Sequence, residues 1–319
     1  METESDRLGA LPAQHAPPGP VRSGAVPVLV PDVYGVVPND LLITDRVSVW
    51  AQLQQGVSSV PSFLEGPVMD GSGNLFVVDI AWGRILRFAP DGEVNVVVEY
   101  DGEPNGLAFD ARGQLHIADY RNGVMVTNLR DGTVEPLLQR RGYDRLRGVN
   151  DLTFDESGNL YFTDQGGSDL QNPNGVVYRR KPDGTIDPVA RNIPSPNGVV
   201  YDESTGHLYV AVTRDNAIWR VQRAPDGSTR AGRWIQLSGG IGPDGLAMDA
   251  AGRLYVAHPG LGVVWVFDRK GLPLLAIQSN VGDFTTNMHV DQQSGHVYIT
   301  ESRSGSVLVA DAANALSSL

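Results

Sequence analysis

The sequence contains no cysteine, which removes disulfides, thiolate metal centres and thiol nucleophiles together. It has no apolar run long enough to span a bilayer, and Met1 to Gly24 lacks the continuous apolar core of a secretory signal. Positive charge is scarce as well: 25 Lys and Arg stand against 37 Asp and Glu, a net charge of -12. That balance is wrong for a nucleic-acid surface. No stretch carries a long amphipathic helical period, and no Gly-x-Ser-x-Gly elbow precedes a helix. Together these absences point away from membrane, nucleic-acid and serine-nucleophile chemistry, and they fit a cytoplasmic chain. The oligomeric state is left open.

What is present is a repeat. Six apolar stretches open at Glu65, Asn105, Asn150, Asn197, Asp244 and Thr286, spaced 40, 45, 47, 47 and 42 residues apart. Five residues after each comes an aspartate (Asp70, Asp110, Asp155, Asp202, Asp249 and Asp291), then a closing glycine at Gly73, Gly113, Gly158, Gly206, Gly252 or Gly295. A period of about 44 residues is that of a propeller blade. The Asp-x-x-Gly pattern is turn chemistry, since Asp accepts a backbone bond early in the turn and Gly tolerates its end. The six aspartates are therefore read as structural. Short alternating segments such as Leu75 to Val78 and Leu254 to Val256 read as strands, and in five repeats a further strand ends in a hairpin-type turn.

The sequence thus predicts an all-β, six-bladed β-propeller with four-stranded blades, residues 25–319 forming one domain behind a disordered or loosely attached arm at residues 1–24. The sixth repeat runs out at Asp311 to Leu319 before a fourth strand, so an N-terminal strand is expected to close the ring. Arg46 to Leu53, with Val47, Val49 and Ala51 on one face, is the expected segment.

First strands lie nearest the propeller axis, so the six opening residues should ring one mouth of the central channel. Glu65, Asn150, Asn197 and Asp244 then offer two carboxylates and two amide oxygens, a hard-oxygen set suited to calcium. The alternative is that these Asn and Asp side chains only make local turns. Second strands return to the same face, which places Asp79, Asp119, Asp164, Thr213, His258 and Glu301 at larger radius. Of these Asp119, Asp164 and His258 are candidate substrate contacts, with Asn105 facing the mouth and Trp82 walling the pocket. His116, His207 and His296 fall in strand or turn frames and read as structural.

At Leu64-Glu65-Gly66-Pro67, Val149-Asn150-Asp151 with Leu160-Tyr161-Phe162-Thr163-Asp164, Ser195-Pro196-Asn197-Gly198 and Gly242-Pro243-Asp244-Gly245-Leu246, the chain resembles the senescence-marker-protein, gluconolactonase and luciferin-regenerating-enzyme-like family of six-bladed propellers. The resemblance spans about residues 46 to 310. It implies one divalent cation, calcium first, with magnesium, manganese or zinc possible, bound by Glu65, Asn150, Asn197 and Asp244. It also implies hydrolysis of a small-molecule lactone, with Asp244 as the residue that orients or deprotonates water. Hydrolysis of an organophosphorus ester at the same site and a non-catalytic binding scaffold are the alternatives. Members that prefer aldonolactones carry an Arg two residues before the third-blade Asn. Here that position is Gly148.

Overall fold

A computed structural model describes residues 25–224 and 226–318. The expected arm at residues 1–24 lies outside them. Six sheets follow one another around a ring, the strands of each running from the inner one outward except where N-terminal strands complete blades 5 and 6. Blade 1 comprises Leu64–Met69, Leu75–Asp79, Arg84–Phe88 and Val94–Glu99. Blades 2, 3 and 4 repeat the pattern from inner strands Pro104–Phe109, Val149–Phe154 and Pro196–Asp202. Blade 5 starts at Leu246–Met248 and blade 6 at Thr285–Val290.

The repeated aspartates do what turn chemistry requires. Asp70 Oδ1 accepts from the amides of Ser72 and Asn74, and Asp110 does the same for Arg112 and Gln114. Asp155, Asp202, Asp249 and Asp291 accept from Asn159, Ser204, Arg253 and Gln293. Each aspartate so occupied is a local clamp, which is why it recurs so uniformly. The alternating apolar residues pack between blades, giving one buried cluster per blade junction. Phe76, Val78 and Ile85 meet Leu107 and Ile117 between blades 1 and 2. Leu152, Leu160 and Phe162 meet Ala118 and Val124 between blades 2 and 3.

Ring closure uses an N-terminal strand, but not the segment the alternation suggested. The outer strand of blade 6 is β2 (Asp32–Val36), antiparallel to Ser306–Asp311 with Asp32 opposite Val309 and Val36 opposite Ser306. Before it, β1 (Val28–Leu29) adds a fifth, parallel strand to blade 5 beside Pro273–Gln278. The first dozen described residues therefore tie two blades together. Arg46 to Leu53 instead runs into a short helical turn at Ala51–Gln55. Two demands explain the difference. Trp50 is needed in the interior, where it packs 4.7 Å from Phe63, and an exposed outer strand could not bury it. Tyr34 in β2 meets Tyr298 of blade 6 edge to face at 5.0 Å. The Val47 and Val49 face that looked strand-like is left exposed. At the other terminus, helix α1 (Ala312–Ser317) is capped by the Asp311 side chain and turns Ala312 and Leu316 into the junction of blades 5 and 6.

A chain beginning at residue 38 loses Val37 and the Tyr34 contact and leaves the edge of Ser306–Asp311 bare. Burial of that size is worth about 3 kcal/mol, or about 5 °C in Tm for a domain this large. Calorimetry of chains beginning at residues 25 and 38 measures it, and equal Tm values would remove β2 from ring closure.

Candidate functional site

In five blades the inner strand breaks register at or next to the opening residue: between Glu65 and Val68, Pro104 and Gly106, Val149 and Leu152, Pro196 and Val199, and Thr285 and Asn287. Such irregularities bend a strand and re-aim the side chain at the bend. All six opening residues consequently line one cavity of about 650 Å³ at the channel mouth. Its apolar wall includes Trp50, Phe63, Ile80 and Phe284, and Tyr120, Gln165 and Ser195 face them on the polar side.

Glu65, Asn150 and Asn197 are buried, and Asp244 keeps an edge open to the cavity. Glu65 Oε2 accepts from the Gly66 amide at 2.5 Å and from Asn287 Nδ2 at 2.8 Å. Asn197 donates from Nδ2 to Thr213 Oγ1 at 3.3 Å, and that hydroxyl passes its own proton to Pro243 O at 2.8 Å. Asn150 Oδ1 is buried with no hydrogen-bond partner. An orphaned acceptor of that kind costs about 1–3 kcal/mol unless something outside the chain satisfies it.

The charges are equally uncompensated. Burial pushes Asp244 up to about 7, the bond to Asn197 opposes the rise, and Asp151 adds to it. Burial also holds Glu65 well above the usual carboxylate range, with repulsion from Asp244 next in weight and the Gly66 and Asn287 bonds pulling the other way. Asp151, directly after Asn150, is pushed up to about 7 by burial, against bonds from the Val199 and Leu152 amides. No Lys or Arg contributes to any of the three. Buried carboxylates are stable as anions only beside a cation. The oxygen donors and the orphaned Asn150 amide suit a hard divalent cation. Among the described residues no three His, Asp or Glu side chains converge as a metal cluster, so a cation here would depend on the two amides.

The structure separates the remaining candidates. Asn105 lines the cavity as expected. Asp119, Asp164, His258 and Trp82, expected against substrate, do not, because their polar atoms are committed elsewhere. Asp119 accepts from Tyr100 Oη and from the amides of Glu103, Arg121 and Asn122. Asp164 accepts from the amides of Arg147 and Gly148. Asp79 and Glu301 likewise take the amides of Phe63 and Phe284. In four blades, then, the second-strand acid pins the backbone just before its own blade's inner strand. His258 is fixed as the tautomer that accepts from Trp265 Nε1 at Nδ1 and donates from Nε2 to Gly239 O. Burial lowers its pKa, and the bond to Gly239 O opposes the fall. Trp82 Nε1 donates to Val60 O.

Two residues that matter here were not singled out from the sequence. The position after each opening residue reads Gly66, Gly106, Asp151, Gly198, Gly245 and Asn287. A Cβ at Gly106 would sit 2.5 Å from Asp151 Oδ1, and one at Gly245 would sit 2.1 Å from Asn287 Oδ1. Glycine on one blade thus makes room for the polar side chain of the next, and departure from glycine was the available signal. Gly148 has a related cause: a Cβ there would lie 2.8 Å from the Tyr120 ring. Tyr120 occupies the space that a longer residue at 148 would need.

A six-bladed propeller with a carboxylate and amide ring in its axial pocket is the architecture of a small-molecule hydrolase or binding protein. The sequence model of the SMP-30/Gluconolactonase/LRE-like region matches residues 63–305, and the chain belongs to that family. A protein named Lactonase drp35 from Staphylococcus haemolyticus (strain JCSC1435) is 32% identical over 223 residues, 66% of this chain and 68% of its own length. Its namesake from Staphylococcus aureus (strain MW2) is 29% identical over the same shares. The structure of a gluconolactonase from Xanthomonas campestris superposes with a TM-score of 0.69 at 23% identity, covering 91% of this chain and 98% of that one. A calcium-binding protein, regucalcin, from Agrobacterium tumefaciens str. C58 gives 0.69 at 18% identity, covering 89% and 95%. At those identities the structural likenesses speak to the fold alone. Among the described residues no helix is long and apolar enough to cross a membrane.

Gly245→Ala drives a methyl into Asn287 and is expected to cost about 1–3 kcal/mol. Gly71→Ala, where nothing lies within 4 Å, should stay within about 0.5 kcal/mol of the parent. Urea unfolding of the pair decides, and equal stabilities would show that the axis is not crowded there.

Proposed function

We propose that the chain is a lactonase, adding water across a cyclic ester to release a hydroxy acid. The observation that carries this reading is the convergence of Glu65, Asn150, Asn197 and Asp244 on one cavity, in a family whose named relatives include lactonases. Those four residues would hold a divalent cation, calcium being the best match to two carboxylates and two amide oxygens. When bound, such a cation supplies Lewis-acid polarisation of the ester carbonyl.

The chain's own residues do the rest. Trp50, Phe63 and Phe284 shield one side of the cavity from water and give the lactone ring an apolar surface. Asn105, facing them from blade 2, offers an amide to the oxygens of the lactone ring. Asp244 accepts the proton of the attacking water, being a carboxylate on the cavity wall within one step of a water held there. The new carbon–oxygen bond forms at the carbonyl and the ring carbon–oxygen bond breaks. Asp244 then returns its proton to the ring alkoxide, so one water is consumed and the Asp244 carboxylate is regenerated. Asn197, tied to Thr213, lies on the same cavity wall as Asp244.

Asp244→Asn removes the proton acceptor while keeping the shape, and kcat for lactone opening should fall by about 10²–10⁴. A pH-indicator assay on the folded variant measures this, and near-parental turnover would exclude Asp244 as the base. Exhaustive treatment with EDTA should abolish turnover and lower Tm, and added calcium should restore both. A site filled at a hundred times its Kd contributes about 2.7 kcal/mol. Full activity after chelation would exclude the cation.

A further inference from the structure

Two arginines are among the residues that line the cavity, Arg214 on blade 4, exposed at its rim, and Arg303 on blade 6. Arg303 is occupied: its Nη1 lies 3.3 Å from Asp283 Oδ1 and its Cζ is 4.0 Å from the centre of the Phe284 ring. Arg214 is different. The acid beside it, Asp215, is spent on Arg233 through two bonds, Nε to Oδ2 at 2.9 Å and Nη2 to Oδ1 at 2.7 Å, and also accepts from Trp219 Nε1. Among the described residues no salt bridge or hydrogen bond engages the Arg214 side chain. Its backbone is fixed all the same, because it directly follows Thr213, the residue that accepts from Asn197.

The charge balance of the cavity gives this free guanidinium a meaning. Glu65 and Asp244 would be neutralised by a bound dication, and Arg303 is neutralised by Asp283. The one other acid on the wall, Asp169, turns its Oδ1 to the amides of Gln171 and Asn172 in its own loop. Among the described residues Arg214 is left as the arginine on the cavity wall with no charged partner. A guanidinium so placed selects a planar anion that can take two parallel bonds.

We infer that the substrate is a lactone bearing a carboxylate, which Arg214 binds while the lactone ring lies over Glu65 and Asp244. This rests on the lactonase reading and adds the substituent to it. With the full chain and calcium, the test compares γ-butyrolactone with 5-oxotetrahydrofuran-2-carboxylate, using the parent, Arg214→Gln and Arg214→Lys. The parent should favour the carboxylated lactone by about tenfold to a hundredfold in kcat/KM, chiefly through KM. Rising salt should shrink that preference. Arg214→Gln should bring the ratio of the two kcat/KM values close to one, with Arg214→Lys in between. Equal rates on both lactones in the parent, or an undiminished preference in Arg214→Gln, would overturn this inference and leave the lactonase reading standing. Hydrolysis of neither lactone would overturn both.

Discussion

Six inner strands converge on one axis, and their closeness there governs everything else in the molecule. The backbones touch across blades: the Gly198 amide donates to Asp244 O, and the Gly245 amide to Thr286 O. Little room remains for side chains at the second position of each strand, so four of six are glycine and the two polar exceptions, Asp151 and Asn287, each lie over a neighbouring glycine. The same convergence brings the opening residues within reach of one another. A polar group that would be a solvated surface residue on an isolated blade becomes part of a ring.

Burial then turns proximity into chemistry. Burial raises the pKa values of three carboxylates at the axis with no basic side chain to offset it, while the acids at larger radius are saturated with backbone amides. Both groups are Asp or Glu at strand ends, and composition cannot tell them apart. Their partners can. An acid that already accepts several amide bonds is a fastener, whereas one left with unsatisfied charge in a cavity is available for a ligand.

Much of this was legible in the sequence. Period, blade count, the turn role of Asp70 and its counterparts, and the placement of Glu65, Asn105, Asn150, Asn197 and Asp244 around one mouth all follow from local pattern plus the geometry of a propeller. Less legible were the identity of the closing strand and the fates of Asp119, Asp164, His258 and Trp82. Alternating segments occur at both 32–36 and 46–53, and only competition for the bare edge of blade 6 and for the burial of Trp50 separates them. His258 looks like a substrate contact until Gly239 O and Trp265 Nε1 are seen to occupy both ring nitrogens.

By itself, the sequence determined the repeated unit, because turns and strand alternation are set by residues within a few positions of one another. Tertiary structure decided which polar groups are free. Asn287 reaches Glu65 across 222 residues of chain, and Val199 reaches Asp151 across 48. The second forms only when neighbouring blades pack and the first only when the ring closes, and no short window of sequence contains either.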